Sequence, residues 1–198
     1  MVELKKGSIE YANVLPQLIY DSASSVLDFI FNGKSNALTF LKRAAKESEG
    51  QFSVNRHHFA CLDGNPVGCV SLWHTELPAS FHTATYTCLE RFLHPDLLQH
   101  VIRVNPSLLS TFAPPKDFQL CFGHFCVKEE FRGENIGSKL LAHVTRKGNQ
   151  LLKQELALDV EVSNEAALQV YERWGFVVKS EKTLEPINQT FYRMTKSL

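Results

Sequence analysis

The sequence has no excess of charge of either sign: Lys plus Arg number 21 and Asp plus Glu number 21. That balance argues against a broad electrostatic footprint for nucleic acid, which needs a basic face to neutralise phosphates. No apolar run approaches the roughly 20 residues that span a bilayer, so no membrane association is expected. The first residues, Met1-Val-Glu-Leu-Lys-Lys, lack the apolar stretch and small-residue cleavage site of a secretory signal, and a cytoplasmic location is the resulting expectation. The five cysteines, Cys61, Cys69, Cys88, Cys121 and Cys126, form no CxxC pair. They are expected to be reduced and to pack in or near the core as small hydrophobes. The eight histidines show no HxxxH or HExxH spacing. His57 and His58 are neighbours, and neighbours on a strand point to opposite faces, so no metal site is expected. There is no internal repeat and no low-complexity tract.

What is present is ordinary globular material. Hydrophobic residues make up 44% of a 198-residue chain, enough for a sizeable core in one domain. Residues 2–6 read as a short edge strand. Ile9 to Phe31 carries apolar residues at near-helical spacing, interrupted by Pro16 and by Ser22 to Ser25, and predicts two short helices. A third is predicted from Ser35 to Glu49, with Leu38, Leu41 and Ala45 on one face. Two β-rich runs, His57–Leu62 and Val67–Trp73, flank the four-residue turn Asp63-Gly64-Asn65-Pro66 and predict a β-hairpin. Residues 75–116 are the least regular, with five prolines (Pro78, Pro95, Pro106, Pro114, Pro115) among helical patches. So long a connection is expected to be a helical insertion, either a cover for a binding site or simply packing on the sheet.

The C-terminal half is more regular. A strand at 118–127 leads to a helix at about 136–153, a strand at 156–162, a helix at about 164–174, and strands at 176–179 and 191–195. The pattern predicts an α/β fold with helices covering a central sheet. Between the first strand and helix lies Lys128-Glu-Glu-Phe-Arg132-Gly133-Glu134-Asn135-Ile136-Gly137-Ser138. A strand, a glycine-containing turn and a helix in that order present unpaired backbone N–H groups to a phosphate. Gly133 and Gly137 let a pyrophosphate approach the backbone, and Arg132 adds a permanent forked charge. A nucleotide-triphosphate loop is disfavoured because no Gly-Lys-Ser/Thr follows, and a dinucleotide turn because the glycine spacing differs.

Two motifs in this order resemble the Gcn5-related N-acetyltransferase (GNAT) superfamily. The first is Arg132-Gly-Glu-Asn-Ile-Gly137 after Val127. The second is Asn164-Glu-Ala-Ala-Leu-Gln-Val-Tyr171-Glu-Arg-Trp-Gly175-Phe176, matching the family's Asn, small residues, then Tyr-x-x-x-Gly-Phe. Asn135 stands where the family's first glycine stands. Asparagine is the next best residue at positive φ, so the turn is expected to keep its shape. The resemblance covers about residues 55–196, with 75–116 outside the pattern. It implies one GNAT domain over 1–198, with a helical part at 1–54 and an insertion at 75–116, and a mixed, mostly antiparallel sheet flanked by helices.

It implies acetyl-CoA as cosubstrate. Its pyrophosphate would sit on the turn formed by Arg132, Gly133, Glu134, Asn135, Ile136, Gly137 and Ser138. Its pantetheine would run along the strand edge at Phe125 and Val127, beside a following strand that splays away. Asn164 would contact CoA, cap its helix, or do both. Lys139, Arg146, Lys147 and Lys153 would meet the adenosine 3′-phosphate or form a solvated face. Tyr171 is the candidate acid for the leaving thiolate, because a phenol is protonated at neutral pH; otherwise it packs with Leu168 on one helix face. Asp159 is the candidate base, on a strand where the related ribosomal-protein N-terminal alanine acetyltransferases place a glutamate. Glu161 on the same face, His124 or water are alternatives. Cys126 is a weak nucleophile candidate for want of a paired base. Trp73 and Trp174 belong to the core or to an acceptor pocket. The function implied is acetyl transfer to a primary amine, by a monomer or a homodimer, with a non-catalytic acyl-CoA sensor as the alternative.

Overall fold

The computed structural model describes all 198 residues. Seven strands form one sheet in the order β1 (Val2–Lys6), β2 (His57–Leu62), β3 (Asn65–Trp73), β4 (Gln119–Val127), β5 (Glu155–Glu161), β7 (Gln189–Ser197), β6 (Val177–Leu184). Every neighbouring pair is antiparallel except β4 and β5. The sheet is therefore mixed and mostly antiparallel, as the resemblance implied.

Helices α1 (Leu15–Ser22), α2 (Ser24–Phe31) and α3 (Lys34–Ala44) cover one face. They pack Leu15, Ile19, Phe31, Phe40 and Leu41 on Phe59, Cys61, Cys69 and Cys126 of the sheet. On the other face, α6 (Ile136–Gln150) and α7 (Glu165–Arg173) pack Ile136, Leu140, Val144 and Tyr171 on Val70, Leu120, Leu156 and Leu158. With both faces covered, the central strands bury side chains of both parities, which is why their sequences read as continuous apolar runs. Residues 75–116 contain α4 (Ser80–Phe92) and α5 (Pro95–Thr111). Here α4 rests on α3, while α5 rests on α2 and β6, a further helical layer on the α1 side.

Several boundaries differ from the sequence prediction. Pro16 lies in the first turn of α1, where its missing N–H has no partner to lose, so it does not interrupt the helix; the break falls at Ala23, inside the expected Ser22–Ser25 interruption. Helix α3 stops at Ala44, five residues before Glu49, and the chain turns at Gly50, whose φ is +98°. The hairpin reverses in two residues, not four. Asp63 and Gly64 take φ of +50° and +85°, the signature of a tight hairpin turn, so Asn65 and Pro66 join β3. Strand β6 runs to Leu184, well beyond the predicted Lys179. It is an edge strand exposed on both sides through Lys182, so its sequence carries no apolar alternation to reveal it. All five cysteines are buried and unpaired.

Candidate active site

The site is organised by the places where β4 leaves its neighbours. Residues Gln119, Leu120 and Cys121 pair with Glu155, Leu156 and Ala157, and there the β4–β5 ladder ends. Beyond it the two strands part, leaving the β5-facing edge of β4 open through Val127. On its other side β4 carries a bulge. Gly123 opposes Ser71 and Cys126 opposes Cys69, so His124 and Phe125 together face Val70. His124 has φ of +46°, an uncommon value for a non-glycine residue and one associated with bulges. The extra residue flips the alternation. Phe125 and Val127 face the α6 side, while His124 and Cys126 face the α1 side.

Directly after β4, a short 3-10 turn (Glu129–Phe131) brings the chain to Arg132 and Gly133. Gly133 takes φ of +87° with open space where a Cβ would stand. Asn135 precedes α6 in the left-handed conformation (φ +62°), as the glycine it replaces would, and its side chain does not cap the helix. The first amides of α6, those of Ile136, Gly137 and Ser138, therefore have no internal acceptor. Arg132 Nε donates to Val127 O at 3.2 Å, tying the turn to the strand end. Gly137 differs from expectation. Its bare face meets the indole of Trp174 (a Cβ would lie 3.2 Å from that ring) and not open space. A side chain there would be in tight contact, and the indole would have to give by a few tenths of an ångström.

The second motif lies alongside. Asn164 Oδ1 accepts from the Ala167 amide at 3.1 Å and caps α7. Tyr171, in the last turn of α7, packs edge-on against Phe122, Phe125, Trp174 and Phe176. It is 9% exposed, and its hydroxyl has no hydrogen-bond partner in the protein. Burial, with the Cys126 thiol adding to it, pushes the phenol well above its ordinary value, so it holds its proton throughout the neutral range.

The candidate bases are placed differently from one another. Asp159 does share a face with Glu161, but Arg193 on β7 holds it. Arg193 Nη1 donates to Asp159 Oδ2 at 2.7 Å, and Nη2 reaches Cys121 Sγ at 2.9 Å. Burial raises the Asp159 carboxyl and Arg193 opposes the rise. Glu161 accepts from Ser25 Oγ at 3.1 Å and from Ser163 Oγ at 2.6 Å, linking β5 to α2. His124 meets His57 edge to edge with the two rings nearly coplanar (planes 7° apart), Phe52 lies close to parallel with the His124 ring, and Trp73 stands perpendicular to it. Trp73 also fills the space beside Gly123, where a Cβ would come within 2.8 Å of the indole. Burial raises the Cys126 thiol to about 11, unsuited to a nucleophile at neutral pH.

Among the basic residues proposed for a phosphate, Lys153 is a correction. It lies past the end of α6, buried, donating to Glu76 Oε1 at 2.7 Å and Asp117 O at 2.8 Å. Its charge is used inside the protein. His57 and Arg193 are the contributors that sequence reasoning missed as site elements. Each acts through a neighbour fixed by strand register or helix packing, for which the sequence holds no local signal.

No curated protein matches the sequence significantly. Among solved structures, the chain is similar to an N-acetyltransferase from Staphylococcus aureus Mu50, at 16% identity and a TM-score of 0.74 over 98% of this chain and 100% of that one. It is also similar to Ard1 from Thermoplasma volcanium (14% identity, TM-score 0.59, 100% and 97% covered). An IAA acetyltransferase from Bacillus cereus ATCC 14579 gives 14% identity and a TM-score of 0.57, with both chains covered to 100%. At such identities the likeness is one of fold. The model of the acetyltransferase (GNAT) family matches residues 26–176, from α2 through both motifs to the Gly175-Phe176 pair. This chain belongs to the acetyltransferase (GNAT) family.

Proposed function

We propose that this protein is an N-acetyltransferase that moves the acetyl group of acetyl-CoA, the cosubstrate of this family, to a primary amine by direct attack in a ternary complex. The observation carrying this reading is the parting of β4 and β5 after Cys121 and Ala157, beside the unpaired first turn of α6. The chain's own groups suit the cosubstrate. Amides at Ile136 to Ser138 and the open face at Gly133 accommodate a pyrophosphate, with Arg132 supplying positive charge. The unpaired edge of β4 at Phe125 and Val127 can take an amide-bearing arm as an added strand.

Tyr171 is the acid in this scheme. Its proton goes to the sulfur as the thioester C–S bond breaks, and its raised pKa guarantees that the proton is present at neutral pH. Asn164 orders the start of α7, which carries Tyr171. The insertion, α4 and α5, covers the acceptor side, since its helices stack on α2 and α3 on the face that bears His124. We place the enzyme in the cytoplasm; no helix is long and apolar enough to cross a membrane. A non-catalytic acyl-CoA sensor is the second reading. The ion pair that engages Asp159 favours it, because it removes the first candidate base.

Release of free CoA from acetyl-CoA across a panel of primary amines tests the proposal, with wild type beside Tyr171→Phe and acetyl-CoA binding measured for both. The expected result is turnover that falls at least about tenfold in the variant while binding is kept. Binding without turnover on any amine would turn the assignment to the sensor. Loss of binding in the wild type would sink both.

A further inference from the structure

His57 and His124 form a directed hydrogen-bond chain whose proton positions follow from its first member. His57 Nδ1 lies 2.9 Å from Ser53 O. A carbonyl can only accept, so Nδ1 carries the hydrogen and His57 Nε2 carries the lone pair. His57 Nε2 lies 2.9 Å from His124 Nδ1. That nitrogen must donate, which leaves the lone pair of His124 on Nε2, the ring atom directed away from His57. His124 Nε2 has no partner in the protein and is not among the buried atoms left without one. His57 is 0% exposed and cannot reorient freely, and Phe52 and Trp73 fix the His124 ring. The whole arrangement sits on the bulge of β4, where the positive φ of His124 is itself a local strain. This is the stretch of β4 that has parted from β5.

We propose that His124 is the base that accepts the proton of the attacking amine, and that His57 is a positioning residue that holds it in the working tautomer. This rests on the acetyltransferase reading above. The amine lone pair forms the C–N bond to the thioester carbonyl carbon, and one N–H proton passes to His124 Nε2. The C–S bond breaks with its electron pair on sulfur, which takes the Tyr171 proton. Solvent then returns a proton from His124 to Tyr171. The amine nitrogen becomes far more acidic once it bonds to the carbonyl carbon, so a weak neutral base is sufficient at that stage.

The surroundings keep the imidazole neutral. Burial and the neighbouring His57 hold His124 well below its ordinary value, and no carboxylate hydrogen-bonds either ring. The ionisable groups facing the pair are Arg56 beside His57, the Cys69 thiol that donates to His124 O at 3.2 Å, and Cys126 two residues on. None of them is an anion at neutral pH. By contrast, Asp159 and Glu161 already accept from Arg193, Ser25 and Ser163.

The test uses the full chain, acetyl-CoA, and phenethylamine, spermidine and an alanine-initiated tetrapeptide as acceptors. His124→Asn keeps tolerance of positive φ and an N–H for His57 but has no basic nitrogen. Its kcat is expected to fall about 10²-fold with acetyl-CoA affinity retained. In His124→Gly, added imidazole is expected to restore turnover in proportion to its neutral form, which a purely structural role would not produce. His57→Gln can still accept from His124 and should exceed His57→Phe in kcat by about tenfold or more, with KM for acetyl-CoA alike in the two. If His124 variants do not fold, the His57 pair still decides. A His124→Asn enzyme with more than about a third of wild-type kcat, or equal kcat for the two His57 variants, would overturn the assignment while acetyl transfer stands. A wild type inactive on every amine would overturn both.

Discussion

At Asn135 a single side chain occupies a backbone conformation that most residues avoid. Its φ of +62° starts α6 without capping it, so the helix keeps its free amides. A left-handed position costs an ordinary L-residue about 1–2 kcal/mol, more for a β-branched one, and glycine nothing. Asn135→Gly is therefore expected to keep both stability and acetyl-CoA affinity, while Asn135→Val lowers the melting temperature and weakens acetyl-CoA binding. Equal affinities in the two variants by calorimetry would show that the turn's shape is set elsewhere. This much was legible in advance: the sequence predicts positive φ at Asn135, and the reason is local. Tyr171 was legible in the same way, as one member of a contiguous motif on one helix. The partner of Asp159 was not. Arg193 lies 34 residues away and meets it only because β5 and β7 pair in one register.

Between elements, the packing of α6 on the end of α7 sets the geometry of the glycine turn that precedes α6. Gly137 lets the first turn of α6 lie against Trp174, which in turn packs on Phe125 of β4 and Tyr171 of α7. One indole thus bridges the turn, the open strand edge and the candidate acid. Gly137→Val would drive two methyls into that ring and shift the turn. Acetyl-CoA affinity should drop about tenfold, equivalent to about 1.4 kcal/mol, and the double variant Gly137→Val with Trp174→Ala should recover part of it. No recovery in the double variant would mean that Gly137 serves the ligand and not the packing. The strand–turn–helix order was legible in the sequence because it lies within about twenty residues. The bulge at His124 and the end of the β4–β5 ladder were not, since they depend on what β3 and β5 do elsewhere in the sheet.

Across the whole molecule, the two cores bury several histidines in neutral form. Burial is the leading cause in each case, lowering His57 and His143 to about 4 and His58 to about 3. The unfolded chain binds protons near pH 6.5, the folded chain only below these values. Stability is thus fully present above about pH 6.5 and is lost progressively as pH falls toward 4. At about 1.4 kcal/mol per pKa unit, protonating His57 in the folded state costs on the order of 3 kcal/mol. The urea midpoint should fall clearly between pH 7.5 and pH 5. Replacing the facing pair, His58→Phe with His143→Leu, should flatten that slope, because it removes two rings that burial keeps neutral in the folded protein. A midpoint that does not move with pH would mean that these rings are hydrated in solution.

The family, the fold class and the two motifs that frame the candidate site were legible in the sequence alone, because each motif is written in a short contiguous stretch. A glycine turn, a helix start and a Tyr-x-x-x-Gly-Phe ending need no distant residue to take shape. Tertiary structure decided which group each side chain serves. His57 and His124, separated by 67 positions, share one hydrogen bond because a hairpin register and a bulge bring both rings to the same face. Lys153 was turned inward to Glu76, and Asp159 was given to Arg193. A sequence specifies strand periodicity directly, but register is a property of the assembled sheet, where one inserted residue sends every later side chain to the opposite face.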